Sequence, residues 1–143
     1  MQEAFKEAQK AFVANEVPIG AVIVHNNYII SRAHNLCETK CDPTAHAELI
    51  AVKSACNYLQ SKYLEGCIIY TTLEPCAMCA GALFWSKIDK IVYGASDEKR
   101  GISSIMKNIT HPKTVIIKNI MQKESAKLLS EFFQKKRKFD KKI

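Results

Sequence analysis

Two short segments constrain this chain more than anything else in it: Asp42-Pro43-Thr44-Ala45-His46-Ala47-Glu48 and Thr71-Thr72-Leu73-Glu74-Pro75-Cys76-Ala77-Met78-Cys79-Ala80-Gly81-Ala82. In them His46, Glu48, Cys76 and Cys79 set one imidazole, one carboxylate and two thiols in a zinc-like pattern, so a fold that uses them must bring residue 46 against residues 76 and 79. Proline suits the first turn of a helix, where its missing N–H would be unpaired anyway, and Pro43 and Pro75 each predict a helix start. Asp42 and Thr44 reinforce the first. Residues three apart share a helix face, which sets Cys76 and Cys79 side by side in an opening turn. The positive end of a helix favours thiolate, the form that binds metal. His46, read in the opening turn of the other helix, supplies a third ligand. Three protein ligands leave one position for water, as in a catalytic zinc site. Glu48 follows His46 by two residues, about 200° around a helix, so it reads as a proton carrier and not as a fourth ligand.

Plainer readings exist for each residue taken singly. His46 alone is a core histidine, and Cys76-x-x-Cys79 alone is a structural zinc half-site or a redox pair. A structural zinc wants a fourth protein ligand, and a redox pair leaves His46 and Glu48 without a task. Cys37-x-x-x-Cys41 is weighed as a second metal pair, but no further histidine or cysteine pair at ligand spacing accompanies it. His25, His34 and His111 likewise lack partners and read as surface or core residues.

Hydrophobic spacing organises the rest. Ala4, Phe5, Ala8, Ala11 and Phe12 recur at helical spacing from Met1 to Asn15. Val17 to Val24 and Tyr28 to Ala33 read as strands joined by an Asn-Asn turn. Residues 34 to 43 read as a loop leading into a helix from Pro43 to Gln60. Cys67 to Thr72 has the continuous β-branched character of a buried central strand. Ala77 to Ser86 reads as a helix whose small Ala80, Gly81 and Ala82 allow close packing within the domain or across a dimer contact. Lys90 to Gly94 is a short strand, Asp97 to Thr110 a polar stretch with weak helical character, and Thr114 to Lys118 a last strand. Ser125 to Lys138 closes the chain as a helix presenting Leu128, Leu129, Phe132 and Phe133. This alternation predicts a three-layer α/β/α domain on a mixed, about five-stranded sheet. Ligands of open α/β sheets sit beyond the carboxyl ends of strands, where both ligand segments fall.

A chain of 143 residues that is 48% apolar fits one core, hence a single domain over residues 1–143. The longest apolar run, Val17 to Val24, is far shorter than a membrane span, and no export signal precedes it, so a cytoplasmic protein with reduced thiols is expected. Of the net charge of +7, residues 134–143 contribute +5. Such a run is often a solvated helix end, but beside a base-modifying site it is a candidate phosphate contact.

The pattern His-x-Glu followed by Pro-Cys-x-x-Cys resembles the signature of zinc nucleobase deaminases, the cytidine-deaminase-like superfamily. The chain further resembles the tRNA-specific adenosine deaminases in Val17-Pro18-Ile19-Gly20-Ala21, Asp42 to Glu48, Thr72 to Ala82, Gly94-Ala95-x-Asp97 and Leu128-Leu129-Ser130-Glu131-Phe132-Phe133. That resemblance implies hydrolytic deamination of the wobble adenosine to inosine in a tRNA anticodon stem-loop, by a homodimer with one Zn2+ per subunit. It assigns His46, Cys76 and Cys79 to zinc, proton transfer to Glu48, and the hold on the flipped nucleotide to Asn35 and Asp97. Between Gly101 and Ile120 the chain departs from the family pattern, lacking its usual small residues and an Asn-His pair. The alternatives are a deaminase of a free base or nucleoside, of guanine or cytosine type, and a noncatalytic RNA-binding module with a structural zinc. The basic tail has no task in the first, and Glu48 has none in the second.

Overall fold

The computed structural model describes residues 1–105 and 108–140, and of Asp140 the backbone only. Met106 and Lys107 of the polar stretch, and Lys141 and Lys142 of the basic tail, lie outside the described residues. The elements in chain order are α1 (Gln2–Val13), β1 (Gly20–His25), β2 (Tyr28–His34), α2 (Cys37–Lys40), α3 (Ala47–Leu59), β3 (Cys67–Leu73), α4 (Ala77–Trp85), β4 (Lys90–Ala95), α5 (Ile102–Ile105), β5 (Val115–Ile117) and α6 (Gln122–Asp140). The strands form one five-stranded sheet in the order β2-β1-β3-β4-β5. β1 runs antiparallel to both β2 and β3, while β3, β4 and β5 are parallel. Helices α1 and α6 cover one face and touch each other; α3 covers the other, with α4 beside it. The mixed three-layer sandwich expected from the alternation of periods is the one observed.

Strand side chains alternate between the two faces. Ala21 and Ile23 of β1, Cys67 and Ile69 of β3, and Ile91 and Tyr93 of β4 point toward α3 and α4, forming the main core with Ala47, Ala51, Val52, Ala55 and Leu83. Three alanines on α3 let its backbone lie close to the sheet, which brings its first turn toward the end of β3. The opposite face is set by Gly20. A Cβ there would lie 2.0 Å from the Ala4 carbonyl oxygen and 2.4 Å from the Ala8 nitrogen, so α1 rests directly on the β1 backbone. The β1–β2 hairpin closes through Asn26 and Asn27, both at positive φ (49° and 64°), the backbone of a two-residue turn whose twist matches that of the strands.

Several boundaries differ from the sequence reading, each for a local reason. β1 begins at Gly20 and not at Val17, because Pro18 has no N–H to give a ladder. The 34–43 stretch contains the one-turn helix α2, too short to show a period. The helix expected from Pro43 begins at Ala47. Asp42 Oδ1 accepts the Thr44 N–H at 2.8 Å and its hydroxyl at 2.7 Å, so the residues read as a helix start build a tight turn instead. At the other end of the chain, α6 starts at Gln122 and extends to Asp140, longer than expected; Phe132 is buried but Phe133 is exposed.

Candidate metal centre and active site

His46 and Cys76 occupy equivalent places: each is the N-cap of its helix, in extended backbone (φ −70°, ψ 147° and φ −75°, ψ 173°). The sequence reading put both inside the opening helical turn. Neither side chain caps its helix, because each turns toward the other across the end of the sheet. Cys79 sits in the first turn of α4, behind Cys76, as the i, i+3 spacing requires. His46 Nδ1 lies 3.6 Å from Cys76 Sγ and 3.5 Å from Cys79 Sγ, and all three ligand atoms lie within 4.8 Å of one another. Bonds of about 2.3 Å to sulfur and about 2.05 Å to nitrogen at tetrahedral angles would separate N from S by about 3.6 Å, so the donor set fits zinc without rearrangement.

Electrostatics already favour a cation. A hydrogen bond from the Cys79 thiol, then one from His46, pulls Cys76 down to about 4, against its burial. Its bond to Cys76, with burial second, pushes the Cys79 thiol far up, while the Cys76 thiolate raises His46. One thiol is thus poised to ionise, and the other keeps a proton for an arriving metal to displace.

Glu48, in the first turn of α3, is 3% exposed, and its Oε2 has no hydrogen-bond partner among the described residues. Burial pushes its carboxyl up to about 7, against the pull of a backbone N–H and of His46. A buried oxygen without a partner costs free energy unless a ligand completes it. A carboxyl poised near neutrality beside a metal-binding cluster is suited to passing protons.

The two residues expected to hold a nucleotide are each engaged by the protein. Asn35 is buried, giving an Nδ2 hydrogen to Glu16 Oε2 at 3.3 Å and accepting the Cys37 thiol on Oδ1 at 3.3 Å. Asp97 is half-buried, and its Oδ1 accepts the backbone N–H groups of Lys99 (3.1 Å) and Arg100 (3.0 Å) of the turn that follows it. Asn35 keeps a second amide hydrogen, and Asp97 keeps lone pairs. Cys37 and Cys41 join no ligand cluster among the described residues, and all six cysteines are free thiols.

Two acidic residues were missed by sequence reasoning. Glu16, fully buried between α1 and β1, accepts the N–H groups of Glu38 (3.1 Å) and Thr39 (2.7 Å) at the start of α2. Glu74, 2% exposed at the end of β3, accepts the N–H of Asp97 (2.9 Å) on Oε2 and that of Ser103 (2.8 Å) on Oε1. Neither has a partner at a telling spacing in sequence, so no local pattern could have marked them.

The chain is similar along nearly its whole length to known deaminases. The model of the MafB19-like deaminase family matches residues 1–137. The tRNA-specific adenosine deaminase of Aquifex aeolicus is 47% identical, over 96% of this chain and 93% of its own. A solved structure from work on A-to-I editing by tRNA:A34 deaminases superposes with a TM-score of 0.85 at 37% identity, covering 90% of this chain and 97% of the other. Guanine deaminase from Bacillus subtilis matches less completely, at a TM-score of 0.64 and 40% identity over 66% of this chain and 61% of the other. With its donor cluster, its buried glutamate and a match along nearly its whole length, the chain belongs to the MafB19-like deaminases and, among them, to the tRNA-specific adenosine deaminase family.

Proposed function

We propose that this protein converts the wobble adenosine of a tRNA anticodon loop to inosine by zinc-dependent hydrolysis, working in the cytoplasm as one deaminase domain per subunit. The observation that carries the reading is the convergence of His46 Nδ1, Cys76 Sγ and Cys79 Sγ beside the orphan Oε2 of Glu48. His46, Cys76 and Cys79 would hold one zinc ion, which supplies Lewis-acid activation of water at neutral pH. Glu48 takes the proton of that water and delivers it to a ring nitrogen of adenine, leaving C6 electron-poor. The water oxygen bonds to C6. A second transfer through Glu48 protonates the exocyclic amine, the C6–N bond breaks, ammonia leaves and inosine remains. Asn35 and Asp97 hold the extruded nucleotide through the hydrogen-bonding capacity they retain. An anticodon loop suits this chemistry, since its bases are already unpaired and cost little to extrude.

The outer face of α4 supports a homodimer. Met78 and Trp85 are exposed there, Trp85 at 78%, and a Cβ on Gly81 would meet nothing within 4 Å. An apolar stripe that open fits a second copy of the chain.

The test is turnover of an anticodon stem-loop by zinc-loaded protein beside free adenosine, cytidine and guanine. Efficient conversion of the stem-loop with little action on the free compounds is expected. Comparable turnover of guanine would move the assignment to the free-base deaminases, to which the chain is also similar.

A further inference from the structure

Asn35 and Asp97 lie on different segments, one after β2 and one after β4; the Asn35 N–H still reaches the Ile19 carbonyl at 3.1 Å, but beyond it neither segment continues the sheet ladder. Each is tied instead to a buried carboxylate. Glu16 binds the first through the Asn35 amide and the Glu38 and Thr39 N–H groups. Glu74 binds the second through the Asp97 and Ser103 N–H groups. The second segment is laced further onto the chain entering α4: Cys76 forms a β-bridge with Gly101, and the Ile102 N–H reaches the Pro75 carbonyl at 3.1 Å. Gly101 lies so close over the Glu74 carboxylate that a Cβ would come within 2.4 Å of Oε2. Neither glutamate joins the metal-binding cluster, and no ion pair engages either one among the described residues.

We propose that Glu16 and Glu74 are paired positioning residues, each clamping one wall of the nucleotide site through backbone N–H groups and so fixing Asn35 and Asp97 relative to the metal centre. The inference deepens the deaminase reading and rests on it for the identity of the substrate. Ionised carboxylates are suited to this role because each oxygen accepts several N–H groups at once and never donates. A glutamine of the same shape must turn an NH2 toward one of those N–H donors, which opens the clamp while preserving volume.

Glu74→Gln and Glu16→Gln therefore raise KM for the stem-loop by about tenfold or more, with kcat changed far less and zinc stoichiometry unchanged. Gly101→Ala, which keeps the Glu74 side chain but forces its carboxylate or the Asp97 carbonyl to shift, reproduces the Glu74→Gln effect, and the double variant is no worse than either single change. Amide hydrogen exchange reads the clamp without activity. In the unsubstituted protein the Asp97, Ser103, Glu38 and Thr39 amides exchange slowly; in Glu74→Gln the first two accelerate while the last two do not. Rapid exchange of these amides in the unsubstituted protein would sink the proposal whether or not any variant folds. An unchanged KM in both glutamine variants would also overturn it, as would loss of zinc as their main effect. If the unsubstituted protein fails to deaminate the stem-loop, the substrate assignment falls while the exchange data still judge the clamps.

Discussion

At the scale of single residues, the convergence of His46, Cys76 and Cys79 could be read from sequence because metal-binding chemistry dictates residue type and spacing dictates face. His46, Cys76 and Cys79 come together as expected, with Glu48 buried, although His46 and Cys76 are N-caps and not first-turn residues. Glu16 and Glu74 could not be read, since a carboxylate that binds backbone N–H groups 22 to 29 residues away leaves no trace in local pattern. Glu48 makes no bond to zinc in this assignment, so Glu48→Ala retains stoichiometric metal by elemental analysis while kcat falls by at least about 100-fold. Equal activity would remove the proton-transfer role. Zinc affinity has a definite pH slope. The Cys76 thiol is pulled down by its neighbours while the Cys79 thiol is pushed far up, so binding displaces the Cys79 proton. Apparent affinity therefore weakens as pH falls from 8 to 6, by about tenfold per pH unit for each proton displaced, and chelator competition at several pH values measures it.

At the scale of elements, α3 and α4 aim their N-termini at one point because α3 lies on the sheet with its alanines down and α4 packs beside it, burying Cys79, Ala80 and Leu83. Their periods were legible, but the start of α3 was not: the Asp42–Thr44 turn uses the same residue types that begin a helix. The α1 contact was hidden for another reason, since it depends on the absence of a side chain at Gly20. Gly20→Ala would place a methyl against the Ala4 carbonyl and the Ala8 nitrogen, both backbone atoms that cannot step aside. Such overpacking costs about 1–3 kcal/mol, seen as a lower urea midpoint at unchanged slope. Trp85 belongs to the opposite case, an exposed side chain that packing within this chain does not explain. Trp85→Lys leaves the subunit's stability within about 0.5 kcal/mol and shifts sedimentation toward monomer. A variant that stays dimeric would place the subunit contact elsewhere.

At the scale of the whole molecule, the sheet and its helices were legible because apolar periods report burial, whereas the fate of the charge was not, since a basic run looks the same free or bound. The structure gives that run a shape. α6 carries Lys135, Lys136 and Lys138 past the end of α1, where they line a groove of about 590 Å³ with Phe132, Phe139, Asn15 and Glu38. Phe139 is 70% exposed, an aromatic plane set among cations. Cations track a phosphate backbone and an exposed ring stacks on an unpaired base. Glu38 joins the groove to the active site through α2, the helix whose first N–H groups Glu16 holds beside Asn35. If stem-loop RNA follows this path, Lys135→Ala/Lys136→Ala/Lys138→Ala weakens binding and lowers the slope of log K against log salt by about one for each phosphate no longer neutralised. Phe139→Ala weakens binding by about 1–3 kcal/mol and leaves that slope unchanged, because stacking releases no counterions. Binding isotherms at several salt concentrations separate the two effects. A triple variant with an unaltered slope would make the charge a solvated helix end, whereas a Phe139→Ala variant with unaltered affinity would leave the lysines as plain phosphate contacts.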